Sequence, residues 1–394
     1  MARLGDVFSV IRNGASIKQT DGAGGLPITR IETISNREVD RNKLGYAGIK
    51  GADKYRGYIL QDGDILMSHI NSEKHLGKVA LYKKQGNEII IHGMNLLMLR
   101  ANEALAYPPF AAYYFETNMF LNQIQRITKK SVNQASFTVT ALKEIEMPLP
   151  PLEEQRRIAA TLDKVSGLIA KRRAQLDKLD LLVKARFVEM FGDPVLNPMK
   201  WPEQPLENMA DIVSGITKGR KAKETELIEV PYMAVSNVKD GYIDWTTVKT
   251  ILATKAEIEQ YRLLPDDVLM TEGGDPDKLG RGAIIQQPLE NCIHQNHIFR
   301  VRLDENILLP SYFAEFLQHQ KAKQYFLKCA KQTTGIASIN MRQLKGLPTL
   351  VPPIEIQVYF NDFVAKAGQS KLTIQQSLDK LELLKKSLMQ QYFG

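Results

Sequence analysis

One pattern recurs down this chain at a single offset. Leu176-Asp177-Lys178-Leu179 returns 202 residues later as Leu378-Asp379-Lys380-Leu381. Pro150-Pro151 returns as Pro352-Pro353, Gln155 as Gln357, Ala135-Ser136 as Ala337-Ser338, and Phe191-Gly192 as Phe393-Gly394. Chance similarity would scatter the offsets, so the shared value marks a tandem duplication. Solenoid repeats have periods of about 20 to 50 residues, and a period this long is a whole domain with its connector. The chain is expected to fold as two similar units. Such a pseudo-dimer suits a target that itself comes in two halves.

A length of 394 residues is enough for two or three domains, and the repeat selects two. With 44% hydrophobic residues, each half can bury a sufficient core. A formal net charge of +8 and an isoelectric point near 9.1 favour a polyanionic partner. Cys292 and Cys329 both lie in the second half and have no counterparts in the first. That argues against a structural disulfide and for a reducing, cytoplasmic setting. The start, Met1-Ala2-Arg3-Leu4-Gly5-Asp6, lacks the apolar centre of a signal peptide. No apolar run approaches the roughly 18 residues of a membrane span.

Each repeat has a mixed front and a helical back, which makes the expected class α+β. The fronts are 1–150 and 203–352, the backs 151–192 and 353–394, and a stiff proline-rich linker spans 193–202. In the first front, Leu26–Ile31, Asp64–Ser68 and Glu88–His92 read as strands between turns such as Asn13-Gly14 and Asp62-Gly63. In the second, Val230–Val235, Asp267–Met270 and Cys292–Arg302 do so. Helical stretches are expected near Pro109–Ile127 and Pro310–Lys328.

The backs differ in kind. Glu153 to Met190 holds no proline, and its apolar residues fall at alternating spacings near three and four. The stripe is Ile158, Leu162, Val165, Ile169, Leu176, Leu179, Val183, Phe187 and Met190. Its partner stripe is Phe360, Val364, Ile374, Leu378, Leu381, Leu384 and Leu388. Each helix would reach roughly 57 Å at 1.5 Å per residue, beyond any need of a small core. Pro150-Pro151 and Pro352-Pro353 set the helix starts, and Gly192 and Gly394 stand at the C-terminal caps. The stripes predict an antiparallel, coiled-coil-like pair in which each helix covers the other's seam. The plainer alternative is that each helix packs along its own domain.

No catalytic constellation is legible. A metal-dependent nuclease needs an acidic residue followed by Asp/Glu-X-Lys to hold Mg²⁺. Pro265-Asp266 resembles the first element, but the second is missing from the sequence. No Walker loop is present, and Gly22-Ala23-Gly24-Gly25 lacks the dinucleotide pattern. Tyr107-Pro108-Pro109-Phe110 is similar to the Asn/Asp-Pro-Pro-Tyr/Phe loop of amino-group DNA methyltransferases. Tyr107, however, cannot offer the side-chain carbonyl that grips the exocyclic amine. Pro108 aligns with Pro310, so a proline at a helix start explains both. Cys292-Ile293-His294-Gln295-Asn296-His297 offers three metal ligands at most, and the first repeat replaces two of them, so a core histidine is favoured.

The fronts carry polar, basic loops of the residue types that grip phosphates and read base edges. The DNA-contact candidates in the first are Thr29, Arg30, Ser68, His69, Asn71, Lys74, Lys78, Lys129, Lys130, Asn133 and Gln134. In the second they are Lys218, Arg220, Lys221, Ser236, Asn237, Lys239, Lys278, Arg281, Gln332 and Thr333. Ser68–Lys78 and Thr271–Arg281 share flanking landmarks but little of the loop between them. Like scaffolds that present unlike side chains would read unlike sequences.

Met147-Pro148-Leu149-Pro150-Pro151-Leu152-Glu153-Glu154-Gln155-Arg156-Arg157-Ile158 resembles the start of the helical regions of type I restriction-modification specificity subunits. Leu179 to Phe191-Gly192-Asp193-Pro194 does too, and Leu350-Val351-Pro352-Pro353-Ile354-Glu355-Ile356-Gln357 is similar to the same element. The resemblance covers the whole chain in the order recognition domain, helix, recognition domain, helix. It implies two target recognition domains that each read part of a split double-stranded DNA target. It implies paired helices that measure the unread spacer and dock two modification subunits. Those partners would bring S-adenosylmethionine and methylate adenine, and restriction subunits would add ATP and Mg²⁺. The chain itself would hold no cofactor and catalyse nothing. The alternative on the residues alone is a helical scaffold whose fronts bind other proteins.

Overall fold

The structure, a computed structural model, describes residues 1–394 apart from 18–23, 36, 133, 220–225, 276–278 and 334–335, and apart from the side chains of 332, 333 and 336. It divides into two units, neither of them a single stretch of chain. Unit 1 is Met1–Arg173 with Gln376–Gly394, and unit 2 is Ala174–Gln375.

In unit 1 the run Leu96–Ala101 is the second strand of a six-stranded sheet. Apart from Arg100, its residues are apolar on both faces because both faces are buried. Leu97, Leu99 and Ala101 enter one core with Ile65, Met67, Phe110 and Phe120, while Leu96 and Met98 enter another with Leu66, Ala80 and Tyr82. The strand runs antiparallel to Phe8–Asn13 and Ile65–Ser68, with Leu99 opposite Ile11 and Ile65. Ile65–Ser68 then pairs with Val79–Leu81.

Unit 2 contains the same four-strand arrangement. Ile298–Leu303 lies between Ala210–Ser214 and Val268–Thr271, and Gly282–Ile284 follows. Val301 faces Ile212 and Val268 there. Each sheet carries a two-pronged ion pair to a buried aspartate. Arg100 Nε and an Nη contact the buried Asp64 carboxylate at 2.7 Å, which also accepts from Gln61 N. Arg302 contacts buried Asp267 in the same two-pronged way at 2.8 and 2.9 Å, and Leu264 N takes the place of Gln61 N. A carboxylate taken out of water needs such full pairing.

Several expected strands are shorter than the sequence suggested. Leu26–Ile31 yields only Pro27–Ile28. Glu88–His92 is no strand and holds its place through isolated bridges at Ile91, with Ile90 and Ile91 buried. Cys292–Arg302 is two strands, Ile293–His294 and Ile298–Leu303. Each helical stretch is likewise two helices. Thr117 interrupts the first by capping Asn118–Ile127, its Oγ1 accepting from Phe120 N at 3.2 Å. Pro108 and Pro310 stand at helix N-termini, which accounts for both prolines without catalysis.

The long helices are Leu152–Phe191 and Ile354–Phe393, 40 residues each. Among the described residues, no helix is long and apolar enough to cross a membrane. Gln155 explains the proline-to-glutamine start. Its buried amide donates to Leu105 O at 2.9 Å and Pro150 O at 2.8 Å, and its oxygen accepts from Tyr107 N at 2.8 Å. Gln357 repeats all three bonds, to Ile307 O, Pro352 O and Leu309 N. Gly192 and Gly394 end the helices at φ +76 and +92, a left-handed conformation that suits glycine.

The stripes meet different neighbours along their lengths. Ile158 and Leu162 join the core of unit 1, as do Leu388 and Phe393. Val183, Phe187 and Phe191 join the core of unit 2, with Phe360 and Val364. Each helix therefore packs on one front with its first half and on the other with its second. Within unit 1, Arg157 lies over Tyr392 at 5.9 Å and Arg173 pairs with Glu382 at 2.7 Å. Within unit 2, Asp180 pairs with Lys371, and Phe187 meets Phe360 at 5.5 Å. Partner numbers fall on one helix as they rise on the other, so the contacting segments run in opposite directions. Val165, Ile169 and Leu378 are buried, whereas Leu176, Leu179, Ile374 and Leu381 are half-buried. Leu384, expected in the stripe, is 46% exposed, and the neighbouring Lys385 turns inward toward Glu116.

The linker after the first helix is tied down rather than loose. Trp201 Nε1 donates to Phe191 O at 2.9 Å, and the Asn197 side chain brackets Trp201 through its backbone N and O at 2.9 and 3.0 Å.

Candidate nucleic-acid interface

In each unit, one strand of the main sheet leads into a polar loop, and a hairpin from far along the sequence joins that loop. In unit 1, Ile65–Ser68 continues into Ile70–Asn71, which pairs with Ala135–Ser136, itself paired with Lys129–Lys130. In unit 2, Val268–Thr271 continues into Gly273–Gly274, paired with Ile336–Ser338 and then Lys331–Thr333. The loop returns to the sheet through Gly77 at φ +74 in one and Gly280 at φ +68 in the other. A Cβ at Gly280 would stand 2.2 Å from Phe326 Cδ2, so the turn admits only glycine.

This composite carries most of the exposed candidates of unit 1. Lys74, Lys78, Lys129, Lys130 and Gln134 are exposed, and Asn71 is half-buried. Lys130 pairs with Glu73 at 2.8 Å, which ties hairpin to loop. Asn71 Nδ2 lies 3.4 Å from Ser68 Oγ, and its oxygen accepts from Ser72 N at 2.7 Å. In unit 2, Lys218 and Ser236 are exposed, while Lys239 and Arg281 are half-buried. Glu272, at the base of the loop, meets His297 Nδ1 at 2.6 Å. That pair joins residues far apart in the chain, and no sequence pattern links them. Asn133, Arg220, Lys221 and Lys278 lie outside the described residues, as do the side chains of Gln332 and Thr333.

Four candidates face inward and leave the interface. Thr29 is fully buried, and its Oγ1 accepts from Gly93 N at 2.9 Å. Asn237 is fully buried, accepts from Ala234 N at 2.9 Å, and donates to Asp244 O and Thr247 Oγ1. Both short polar side chains satisfy loop backbone that a strand would otherwise satisfy. Ser68 and His69 are buried where the strand turns into the loop. Burial holds the His69 imidazole down at about 4, so it is neutral near pH 7 and offers a phosphate no charge. Its ring packs edge-on to Phe137 at 6.2 Å, making it part of the hairpin's footing. Arg30 is half-buried beside Thr29.

Within the cysteine-histidine segment of unit 2, Cys292 and His294 are core, whereas His297 is exposed. Cys292 is buried, with its thiol pushed up to about 12 by desolvation. His294 is buried with Nδ1 3.1 Å from Ile298 O, and burial holds its pKa down to about 4.

The family model described as type I restriction modification DNA specificity domain matches residues 1–179 and 198–384. A relative from Methanocaldococcus jannaschii, assigned as the MjaX type I restriction enzyme specificity subunit, is 45% identical over 313 residues. That match covers 78% of this chain and 64% of the relative, so the chain spans under two thirds of that protein. The EcoKI specificity subunit of Escherichia coli K12 is 23% identical over 84% of this chain and 73% of its own length. Among solved structures, the S subunit of a type I restriction-modification system from M. genitalium has the same fold. It aligns with a TM-score of 0.60 at 15% identity over 100% of this chain and 95% of that one.

Proposed function

Because the chain belongs to the type I restriction-modification DNA specificity family, we propose that it is the DNA-reading subunit of such a complex and is itself non-catalytic. Residues 1–150 and 203–352 are its two target recognition domains, and each reads one half of a split target in the major groove. The helices at 151–192 and 353–394 form an antiparallel, coiled-coil-like pair related by the internal pseudo-twofold repeat. The linker at 193–202 joins the halves. The pair sets the length of the unread spacer and docks two modification subunits, which carry S-adenosylmethionine to adenine. Restriction subunits, where they join, bring ATP and Mg²⁺.

One observation carries this reading. The same loop-and-hairpin composite stands on the same sheet in both units, yet its side chains differ. Asn71, Ser72, Glu73 and Lys74 of the first correspond to Gly274 and the residues after it in the second. A shared scaffold with unlike chemistry is what two half-targets of different sequence require. Methylome sequencing of a host that expresses this chain with its partners should return one bipartite motif. Replacing residues 203–350 by the equivalent part of a relative should change one half of that motif and leave the other intact. Changes in both halves would overturn the modular reading, and methylation or cleavage by the purified chain alone would overturn the non-catalytic one.

A further inference from the structure

The hairpin of unit 1 ends in a residue that turn chemistry does not explain. Lys129 pairs with Ser136 and Lys130 with Ala135, and the turn closes where Ser131 N donates to Gln134 O at 2.8 Å. Ser131 Oγ donates to the same oxygen at 2.8 Å. The base is fixed on the domain: Ala135 and Phe137 are buried, and Phe137 N donates to His69 O at 3.2 Å. The Lys130–Glu73 pair ties the hairpin to the adjoining loop. At the tip stands Val132, 99% exposed, the most exposed large apolar side chain among the described residues.

Hairpin tips favour glycine, asparagine and aspartate, which meet the turn's dihedrals or bond to its backbone. A β-branched residue does neither, and here its methyls face only water. The surroundings are cationic and polar: Lys129, Lys130, Ser131 and Gln134 are all exposed. A basic two-stranded ribbon fits the roughly 12 Å major groove of B-DNA. The one apolar group that base edges present there is the C5-methyl of thymine.

We propose that Val132 is a specificity-determining residue that reads a thymine methyl in the first half-target. This rests on the DNA-reading function above and names the chemical group that one of its side chains recognises. Wedge insertion between base steps is the competing use of an exposed apolar tip, but it is typically made by larger side chains from the minor groove.

The test uses the full chain co-purified with its modification subunit, on duplexes carrying the methylome-defined target. The half read by unit 1 is the half that survives replacement of residues 203–350. Each thymine of that half is replaced in turn by uracil, which removes only the methyl. Wild type should lose about fourfold in affinity at one position, the worth of one buried methyl. Val132→Gly should bind the thymine duplex about fourfold more weakly and respond no further to uracil. Its response to uracil in the other half-site should match wild type. The proposal is overturned if the first half-site contains no thymine, if no uracil position there weakens wild type, or if Val132→Gly still senses the methyl. If wild type shows no sequence preference at all, the DNA-reading function itself fails, a result distinct from a silent Val132.

Discussion

Gln155 and Gln357 stand out in the sequence because they recur, but recurrence does not say what they do. Each buried amide closes three backbone bonds that join the start of a long helix to the loop before a domain helix. Replacing Gln155 by Leu keeps the volume and leaves Tyr107 N, Leu105 O and Pro150 O without those partners. Buried groups left unpaired cost about 1–3 kcal/mol each, and relaxation recovers part of that. Q155L should therefore destabilise the protein by roughly 3 kcal/mol, measured by urea denaturation, and Q357L should match it. The buried histidines set a pH dependence. His69, His92 and His294 are held down to about 4 by burial, whereas an unfolded histidine titrates near 6.5. Between those values the unfolded chain binds more protons, so the stability they contribute is complete above about pH 6.5 and is lost as pH falls toward 4. Thermal melts at constant ionic strength should show a falling melting temperature across that window, and a flat profile would contradict it. The inward turn of Thr29 and Asn237 was not legible. A short polar side chain in a loop has the same sequence signature whether it bonds its own backbone or faces solvent.

The elements were most legible where several local signals agree. Prolines, a long apolar stripe and a terminal glycine place both helices to within two residues of their observed bounds. The short strands were least legible, because two-residue pairings depend on distant partners that periodicity cannot supply. What each helix touches was half legible. The stripe shows that a face is buried, but not that Phe187 meets Tyr312 of a recognition domain and Phe360 of the other helix. Those contacts rank the interactions that hold the helices. Phe187 is fully buried, and truncation to Ala should cost about 3–5 kcal/mol. The Asp180–Lys371 pair has the Asp180 side chain 60% exposed, and D180N should cost under about 1 kcal/mol. Urea titrations of the two variants would reverse this ranking only if the helices were held chiefly by charge.

For the whole molecule, the shared 202-residue offset is the plainest feature of the sequence, and it carries the geometry of the proposed ruler. If the paired helices set the spacer, their length has two consequences at once. Four residues added to one helix lengthen it by about 6 Å and rotate its remaining turns by about 40° beyond a full turn, at 1.5 Å and 3.6 residues per turn. Added to one helix alone, they would shift its apolar stripe against the other and strain both cores. Added to both, between Arg173 and Asp180 and between Lys371 and Glu382, they leave the pairings within each unit unchanged. On B-DNA, 6 Å is close to two base pairs at about 3.4 Å each, and two base pairs turn the duplex by about 70° at roughly 10.5 per turn. Distance therefore favours two added base pairs, while phase favours nearer one. The doubly extended chain should methylate a motif whose half-sites are unchanged and whose spacer is longer by one or two base pairs, read by methylome sequencing. An unchanged spacer would mean that the recognition domains, and not the helices, fix the separation of the half-sites.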